Sequence, residues 1–302
     1  MTALVEAPER LHLLWQSTQD ASLTRGVGMP AALESRYGGR LEVPIRPDRP
    51  TLIANFVSTL DGVVALGSGY LSGGSVISGA HEPDRFGMAV LRAIADVVVV
   101  GAGTLRESRK QRWTAEHLQP ALAPAFREWR EAMGLAPQPT TVVVTSRGDI
   151  PTQHPGLTDP DVPVVIATSP EGAARLATHQ LALHVALEEI GTTETPGGGQ
   201  RIGGQAIVDL VSSCDAHVVL CEGGPHLLGE LLAADVVDEL FLTLAPQLVG
   251  RDDPARLGLV EGLALPAGAR WLELAAVRRS TSHLFLRYRR SISPMAATEA
   301  TR

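Results

Sequence analysis

The sequence predicts an α/β fold, a doubly wound and mostly parallel sheet that ends in an antiparallel pair of strands. Three observations lead to this prediction. Short apolar runs alternate with segments of helical periodicity through the middle of the 302-residue chain. These runs are continuous and rich in valine and isoleucine, which is typical of parallel strands covered on both faces. The last strand-like segments follow one another with no helical pattern between them, so we expect them to pair as neighbours.

The chain divides into three parts by composition. Residues 1–50 contain one short helical pattern, Glu9–Gln16, followed by the glycines and prolines that are typical of loops. We expect this part to be an N-terminal extension that packs on the main domain, residues 51–290. Residues 291–302 are small and polar, and we expect a disordered tail.

Each element of the main domain is predicted from its own pattern. The helix predicted at Pro83–Ala95 places Phe86, Val90 and Ile94 four residues apart, on one face. Two further helices are expected at Ile202–Ser213 and His226–Ala234. The strands are predicted at Thr51–Leu60, Asp96–Val100, Thr141–Thr145, Val162–Thr168, His217–Cys221, Asp238–Ala245, Trp271–Arg279 and His283–Arg289. The last two form the antiparallel pair, joined across Arg279–His283.

Composition excludes several classes of function. The formal net charge of −7 disfavours a nucleic-acid-binding surface. Cys214 and Cys221 are too few for a disulfide framework, and their spacing is not that of a zinc site. The nine histidines are scattered, so we predict no metal site. Residues 1–10 lack an apolar core, so we expect no signal peptide. No apolar run in the sequence approaches the length of a membrane span, so we expect a cytoplasmic location.

Two glycine-containing loops follow buried strands. The first is Gly101-Ala102-Gly103-Thr104, and the second is Glu222-Gly223-Gly224. Glycine allows close approach of a ligand to the backbone, and helix starts favour phosphate. Each loop alone is a weak signal, because a tight turn between a strand and a helix explains it equally well.

A third loop, Thr59-Leu60-Asp61-Gly62, ends the first predicted strand. Asp-Gly is a common turn pair, so a purely structural turn is the ordinary interpretation. Because ligands bind outside the carboxyl ends of strands in open α/β sheets, Asp61 and Glu222 are nonetheless expected to flank one cleft.

The three loops occur in order with further short motifs. In chain order the motifs are Asn55–Gly62, Ile77–Gly79, Asp84-Arg85, Leu91–Ala93, Val99–Arg106, Thr145–Arg147, Cys221–Pro225, Val237–Leu240 and Ala245–Gly250. Together they resemble the pyrimidine reductase domain of riboflavin biosynthesis, over residues 51–290. The resemblance implies a dihydrofolate-reductase-like three-layer α/β/α fold and a homodimer. It also implies hydride transfer from NADPH that opens the sugar of a ribosylaminopyrimidine.

The same resemblance assigns residues to roles. Asp61 and Glu222 would be catalytic, and Asn55, Ser78 and Arg106 would bind the substrate. The residues implied for cofactor binding are Gly101, Ala102, Gly103, Thr104, Thr145, Ser146, Arg147, Thr168, Gly223 and Gly224. A hydroxyl beside a guanidinium, as in Ser146-Arg147, suits the 2′-phosphate of NADPH.

The chain also departs from the family pattern. Asn55 stands where many members carry a lysine for the substrate phosphate, Glu107–Trp113 replaces the usual substrate-reading stretch, and Thr114–Pro139 is added. The deaminase signature of bifunctional relatives does not occur. Two alternatives therefore stay open: a reductase for a pterin or another small heterocycle, and an NADPH-binding protein without turnover.

Overall fold

The computed structural model describes residues 9–18, 23–67, 73–194, 199–262, 264–265 and 271–291. The strands are β1 His12–Gln16, β2 Thr24–Arg25, β3 Val43–Pro44, β4 Thr51–Ser58, β5 Val63–Ala65, β6 Val97–Gly101, β7 Thr140–Thr145, β8 Val164–Thr168, β9 Val185–Glu189, β10 Thr192–Glu194, β11 Gln200–Ile202, β12 Val218–Cys221, β13 Glu239–Leu244, β14 Leu257–Gly258, β15 Leu272–Ser280 and β16 His283–Arg290. The helices are α1 Ala31–Tyr37, α2 Gly73–Ile77, α3 Glu82–Ile94, α4 Ala102–Glu107, α5 Ala115–Leu118, α6 Ala123–Ala132, α7 Pro155–Thr158, α8 Pro170–Leu176, α9 Gly204–Ser213 and α10 Pro225–Ala233, with one 3₁₀ turn at Pro120–Leu122.

Within the described ranges, ten strands form one sheet in the order β1-β15-β16-β13-β4-β12-β6-β7-β8-β9. The seven strands from β13 to β9 run parallel to one another, and β16 pairs antiparallel with β13. Strands β15 and β16 pair antiparallel, with Ser280 opposite His283. The prediction of a mostly parallel sheet with an antiparallel C-terminal pair is therefore confirmed.

Apolar side chains cover both faces of this sheet. On one face, Phe86 of α3 and the large buried rings of Trp113 and Trp129 pack in one core cluster. On the other face, Ile207 of α9 and Leu228 of α10 belong to a second cluster. Because β6 contributes alternate valines to both clusters, its continuous apolar run matches a strand between two helical layers.

One predicted element of the N-terminal part is wrong. The Glu9–Gln16 pattern was expected to form a helix, but His12–Gln16 is β1, which pairs antiparallel with β15. The sequence His-Leu-Leu-Trp-Gln suits an extended strand once β15 offers its edge, so the tertiary pairing overrides the local pattern. Residues 1–8 and 292–302 lie outside the described residues.

Buried charges connect this N-terminal part to the sheet. Arg46 and Arg49 bind the carboxylate of Asp238 at 2.6 and 2.8 Å, and Arg25 binds Asp96 at 2.5 Å. Asp238 and Asp96 also accept hydrogen bonds from backbone N–H groups at strand starts, namely those of Leu52 and of residues 217–218. These contacts lie at the amino ends of the parallel strands, so the carboxyl ends remain open for a site.

None of the described helices is long and apolar enough to cross a membrane. Within the same part of the chain, no three His, Cys, Asp or Glu side chains lie together as a metal site would require.

Candidate active site

A cleft of about 970 Å³ opens at the carboxyl ends of β4, β6, β7 and β12. Helix α3 forms one wall, and the loops that follow the strands form the other. The sequence-predicted residues that line it are Asn55, Ser78, Gly101, Ala102, Gly103, Thr104, Arg106, Thr145, Ser146, Arg147, Glu222 and Gly224. The structure thus brings most of the predicted site residues into one cavity, although they are spread over 170 positions.

The glycine loops leave room for a ligand along their backbone. A Cβ built on Gly103 would meet no described atom within 4 Å, and one on Gly224 would come no closer than 3.6 Å, to the hydroxyl of Thr104. Both positions face the cleft, so a side chain there would occupy cleft volume without displacing protein. This open cradle fits the backbone approach that a dinucleotide pyrophosphate requires.

Strand β7 ends in Thr145-Ser146-Arg147, all of which line the cleft. Thr145 is buried, whereas Arg147 is exposed at the mouth. The hydroxyl of Ser169 donates a 2.5 Å hydrogen bond to the carbonyl of Ser146 and so fixes the turn. A guanidinium beside a hydroxyl on a fixed turn fits a phosphate monoester on the ribose of a cofactor.

Two residues expected at the cofactor do not line the cleft. Thr168 is fully buried at the end of β8, one strand beyond the cleft, and a Cβ on Gly172 would lie 2.0 Å from its hydroxyl. Gly223 instead packs against backbone, because a Cβ there would lie 2.5 Å from the amide nitrogen of Gly101. Close packing between two loops therefore explains glycine at position 223.

Glu222 lines the cleft and is held there by Arg92 of α3. Nε and Nη2 of Arg92 donate to the two carboxylate oxygens of Glu222 at 2.9 and 2.6 Å. Both side chains are almost completely buried. Nη1 of Arg92 also donates to the carbonyls of Arg112 and Thr114. The two-point ion pair thus fixes the Glu222 carboxylate relative to the wall of the cleft.

A second carboxyl group in the cleft belongs to Asp84, which the sequence reading did not assign to the site. It lies in the first turn of α3 and is only 8% exposed. Burial raises the pKa of Asp84 to about 6, as does the nearby charge of Glu222, while hydrogen bonds from Thr243 and Ser78 oppose this rise. The two carboxyl groups thus differ in environment: Glu222 is ion-paired, and Asp84 is held by hydroxyls.

The signal for Asp84 was present in the helix pattern. Asp84, Met88 and Arg92 follow one another at four-residue spacing, and all three line the cleft. Two charged side chains that share a helix face with apolar residues indicate buried charged groups that have polar partners.

Asp61 was expected to flank the cleft with Glu222, but it lies elsewhere. Its carboxylate accepts hydrogen bonds from the backbone N–H groups of Val249 and Gly250, and Asp61 lies outside the cleft lining. A hydrogen bond from Thr59, together with these amides, lowers the pKa of Asp61. Strand β4 ends at Ser58, and Asp61 lies in the turn that leads into β5. Its carboxylate holds the 247–250 loop, which agrees with a structural role for this Asp-Gly turn.

The atypical segment of the sequence forms the mouth of the cleft. Glu107–Gln111 line it together with His117 of α5, which belongs to the added segment, and Arg85 of α3. Burial lowers the pKa of His117, and the charges of Arg92, Arg112 and Arg85 act in the same direction. Arg106 lines the cleft as expected, and its Nη1 donates to the carbonyl of Asp149 at 2.6 Å. This end of the cleft is therefore rich in positive charge.

Comparison with known proteins gives a family match across most of the chain. Residues 50–284 match the model of the RibD C-terminal domain. The curated 2,5-diamino-6-ribosylamino-4(3H)-pyrimidinone 5′-phosphate reductase of Methanothermobacter thermautotrophicus is 29% identical over 241 residues, covering 75% of this chain and 91% of that protein. The enzyme of the same name from Archaeoglobus fulgidus is 27% identical over 209 residues, with coverage of 68% and 85%.

Solved structures share the fold. A pyrimidine reductase-like protein from Corynebacterium diphtheriae has a TM-score of 0.60 at 20% identity, covering 81% of this chain and 93% of that chain. RibD from Acinetobacter baumannii has a TM-score of 0.56 at 21% identity and 80% coverage of this chain, which spans only 58% of that protein's length. The predicted three-layer, dihydrofolate-reductase-like fold is confirmed.

Proposed function

The chain belongs to the RibD C-terminal domain family, and from that premise we propose that it is an NADPH-dependent reductase of a ribosylaminopyrimidine 5′-phosphate, as its curated relatives are named. The observation that carries this proposal is the pair of unlike carboxyl groups, Asp84 and Glu222, beside an open glycine cradle in one cleft. A dinucleotide along Gly103 and Gly224 would bring its reactive ring and the substrate into the same cavity.

Reduction of such a substrate needs one proton and one hydride. When the sugar ring opens, the bond between the anomeric carbon and the ring oxygen breaks, and the oxygen must take a proton. The carbon, now double-bonded to the exocyclic nitrogen, carries positive charge until it receives hydride. The nicotinamide cofactor supplies that hydride when bound.

Asp84 has the properties of the proton donor. Its buried carboxyl has a pKa of about 6, so an appreciable fraction carries a proton near neutral pH. After donation to the ring oxygen it is a carboxylate, and it regains a proton from solvent in the next cycle. Glu222, held in its ion pair with Arg92, presents negative charge to the positive carbon and stabilises it more in the transition state than in the ground state.

Preference for NADPH over NADH is part of the proposal. Ser146 and Arg147 at the end of β7 support it, because charge-assisted hydrogen bonds to a 2′-phosphate are available only with NADPH. Asn55, Ser78 and Arg106 are the proposed substrate contacts. A homodimer, implied by the family resemblance, and a cytoplasmic location, expected from the sequence, stay predictions that sedimentation and cell fractionation test.

The direct test is an assay of purified protein with NADPH and the ribosylaminopyrimidine 5′-phosphate, following the loss of reduced-nicotinamide absorbance. We expect turnover and a ribitylamino product by mass spectrometry. A pterin or another heterocycle is the second candidate substrate, because residues 107–111 and 113, which belong to the segment that departs from the family pattern, line the cleft. Turnover of a pterin alone would replace the proposed substrate, and NADPH binding without turnover in any screen would reject the enzyme proposal.

A further inference from the structure

A second and much smaller cavity lies behind Asp84. It has a volume of about 30 Å³, and Asp84 and Asn55 line both it and the main cleft. Thr243 of β13 lines the small cavity but not the cleft. The hydroxyl of Thr243 therefore approaches Asp84 from the side of the small cavity, whereas Ser78 lines the main cleft.

The pattern of β13 makes Thr243 unusual on its face. Burial alternates along this strand, so Glu239, Phe241 and Thr243 point to the same buried side. Phe241 packs in the core cluster, and Glu239 forms a buried ion pair with Arg287. Thr243 has neither role, and the hydrogen bond of its hydroxyl goes to Asp84.

Other buried threonines of the sheet show that such a contact is not a general feature of strand packing. The hydroxyls of Thr141 and Thr168 are also buried, on β7 and β8, and neither has a hydrogen-bond partner within the described residues. A buried threonine in this sheet can thus serve as a β-branched packing residue only. Thr243 differs from them by its bond to a carboxyl group at the candidate site.

We propose that Thr243 is a positioning residue for the reductase reaction: its hydroxyl fixes the Asp84 carboxyl between the small cavity and the cleft. Only the kinetic consequence of this proposal rests on the proposed function. Glu222 is the charged neighbour of Asp84 on the cleft side, and Arg278 and Arg287 line the small cavity behind it. Both arginines are engaged elsewhere, Arg278 with the carbonyl of Tyr37 and Arg287 with Glu239, so a neutral hydroxyl is the group that holds Asp84 on this side.

The substitution Thr243→Val removes the hydroxyl and keeps the shape, while Thr243→Ser keeps the hydroxyl. Thr141→Val is the matched control, because it removes a buried strand hydroxyl to which the described part of the chain offers no hydrogen-bond partner. If Thr243→Val does not fold, Thr243→Ala removes the same group. The carboxyl band of Asp84 is identified by infrared difference spectroscopy of the protein without cofactor or substrate, as the band absent in Asp84→Asn.

We expect the titration midpoint of that band to rise by about one pH unit in Thr243→Val, because the lost hydrogen bond favours the charged form. It should return to the parent value in Thr243→Ser and stay there in Thr141→Val. In the assay, kcat should fall and the alkaline limb of its pH profile should move upward, with KM for the cofactor unchanged. An unshifted band in Thr243→Val, or an equal shift in Thr141→Val, would overturn the proposal. Since the spectrum needs no turnover, failure of the proposed reaction leaves this result readable.

Discussion

The glycine loops (residues 101–104 and 223–225) and the α3 wall (Asp84, Arg85, Met88 and Arg92) border the same cleft but are built in different ways. Each glycine loop is a continuous stretch that follows a buried strand, and Gly103 and Gly224 leave its backbone open to the cleft. The α3 wall is a set of side chains on one helix face, and its function depends on what packs against it. Asp84 owes its raised pKa to burial first, and its helix spacing with Met88 and Arg92 predicts their shared face but not the groups that pack against it.

This difference explains which parts of the site a sequence discloses. A loop with glycines between a strand and a helix has a local signature, so its position can be predicted before the fold is known. The role proposed for Asp84 also depends on Glu222, which lies 138 positions later in the sequence and whose charge adds to the rise of the Asp84 pKa. The same difference distinguishes Asp84 from Asp61. Asp61 belongs to the stronger local motif, but it lies outside the cleft lining, whereas Asp84 lines the cleft.

The largest expected effect distinguishes these two aspartates. Asp84→Asn keeps size and removes the proton donor, so turnover should fall by about 10²- to 10⁴-fold. NADPH affinity, measured by fluorescence titration, should stay within a few-fold, because Asp84 lies on α3 and not in the glycine loops. Parent kcat/KM should decrease on the alkaline side of the Asp84 pKa, about 6 in the free protein.

Asp61→Asn is the control for that experiment. Its carboxylate accepts hydrogen bonds from the loop at Val249 and Gly250, so we expect a small loss of stability and nearly unchanged turnover per folded molecule. If Asp61→Asn lost turnover as severely as Asp84→Asn does, the α3 wall would not be the source of the acid.

The sequence was sufficient for the sheet and for most of the loop residues that line the cleft, because both follow from continuous patterns. The strands at residues 97–101, 140–145 and 218–221 match valine-rich runs, and the glycine loops lie where the runs end. Prediction from the sequence failed where contacts between distant segments of the chain determine the local structure. β1 forms because β15 offers its edge, and Thr168 is buried because the cleft ends at β7. Asp61 was assigned to the site from its motif, although its hydrogen bonds lie within the 247–250 loop.

The next effect separates the two kinds of glycine within the glycine loops. Gly103→Val places atoms in open cleft space, so the protein should fold normally and bind NADPH roughly ten- to hundredfold more weakly, in line with an overpacking cost of about 1–3 kcal/mol. Gly223→Ala places its Cβ against the backbone of Gly101, so the same cost should appear as lost folding stability. Urea unfolding and NADPH titration of both variants measure this. An unchanged NADPH affinity in Gly103→Val would show that Gly103 serves only the turn between strand and helix and does not border the cofactor.

A smaller effect is expected at the end of β7. Arg147→Ala should reduce the preference for NADPH over NADH by about tenfold, which is the lower end for a charge-assisted bond because the side chain is exposed. Binding of NADH, which lacks the 2′-phosphate, should hardly change. Arg127→Ala is a suitable control, since that guanidinium is paired with Glu116 and lies outside the cleft lining. An equal loss of NADPH and NADH affinity in Arg147→Ala would move the 2′-phosphate site elsewhere.

The smallest effect concerns His154, which anchors the loop that leads from α4 to the mouth of the cleft. Its Nε2 bonds to the carbonyl of Ser108 at 2.9 Å, and its Nδ1 accepts from the amide of Gly156 at 3.0 Å. An imidazole that donates at one nitrogen and accepts at the other must be neutral. Burial lowers the pKa of His154, although the bond to Ser108 opposes this. The folded protein therefore favours the neutral form.

The sign of the pH dependence follows from that lowered pKa. The stabilisation by His154 is complete above the unfolded-state value of about 6.5 and is lost as pH falls through the lower folded-state value. His154→Asn keeps an acceptor for the Gly156 amide and cannot be charged. The free energy of unfolding is measured at about pH 8 and at about pH 5. Its decrease from the higher to the lower pH should be smaller in the variant than in the parent. Because the pKa values of His81, His117 and His283 are lowered too, the parent-minus-variant difference isolates His154. NADPH affinity should not follow this difference, since the hydrogen bonds of His154 go to Ser108 and Gly156 and not to the glycine loops. An equal decline in both proteins would remove His154 as a pH-sensitive anchor of this side of the cleft.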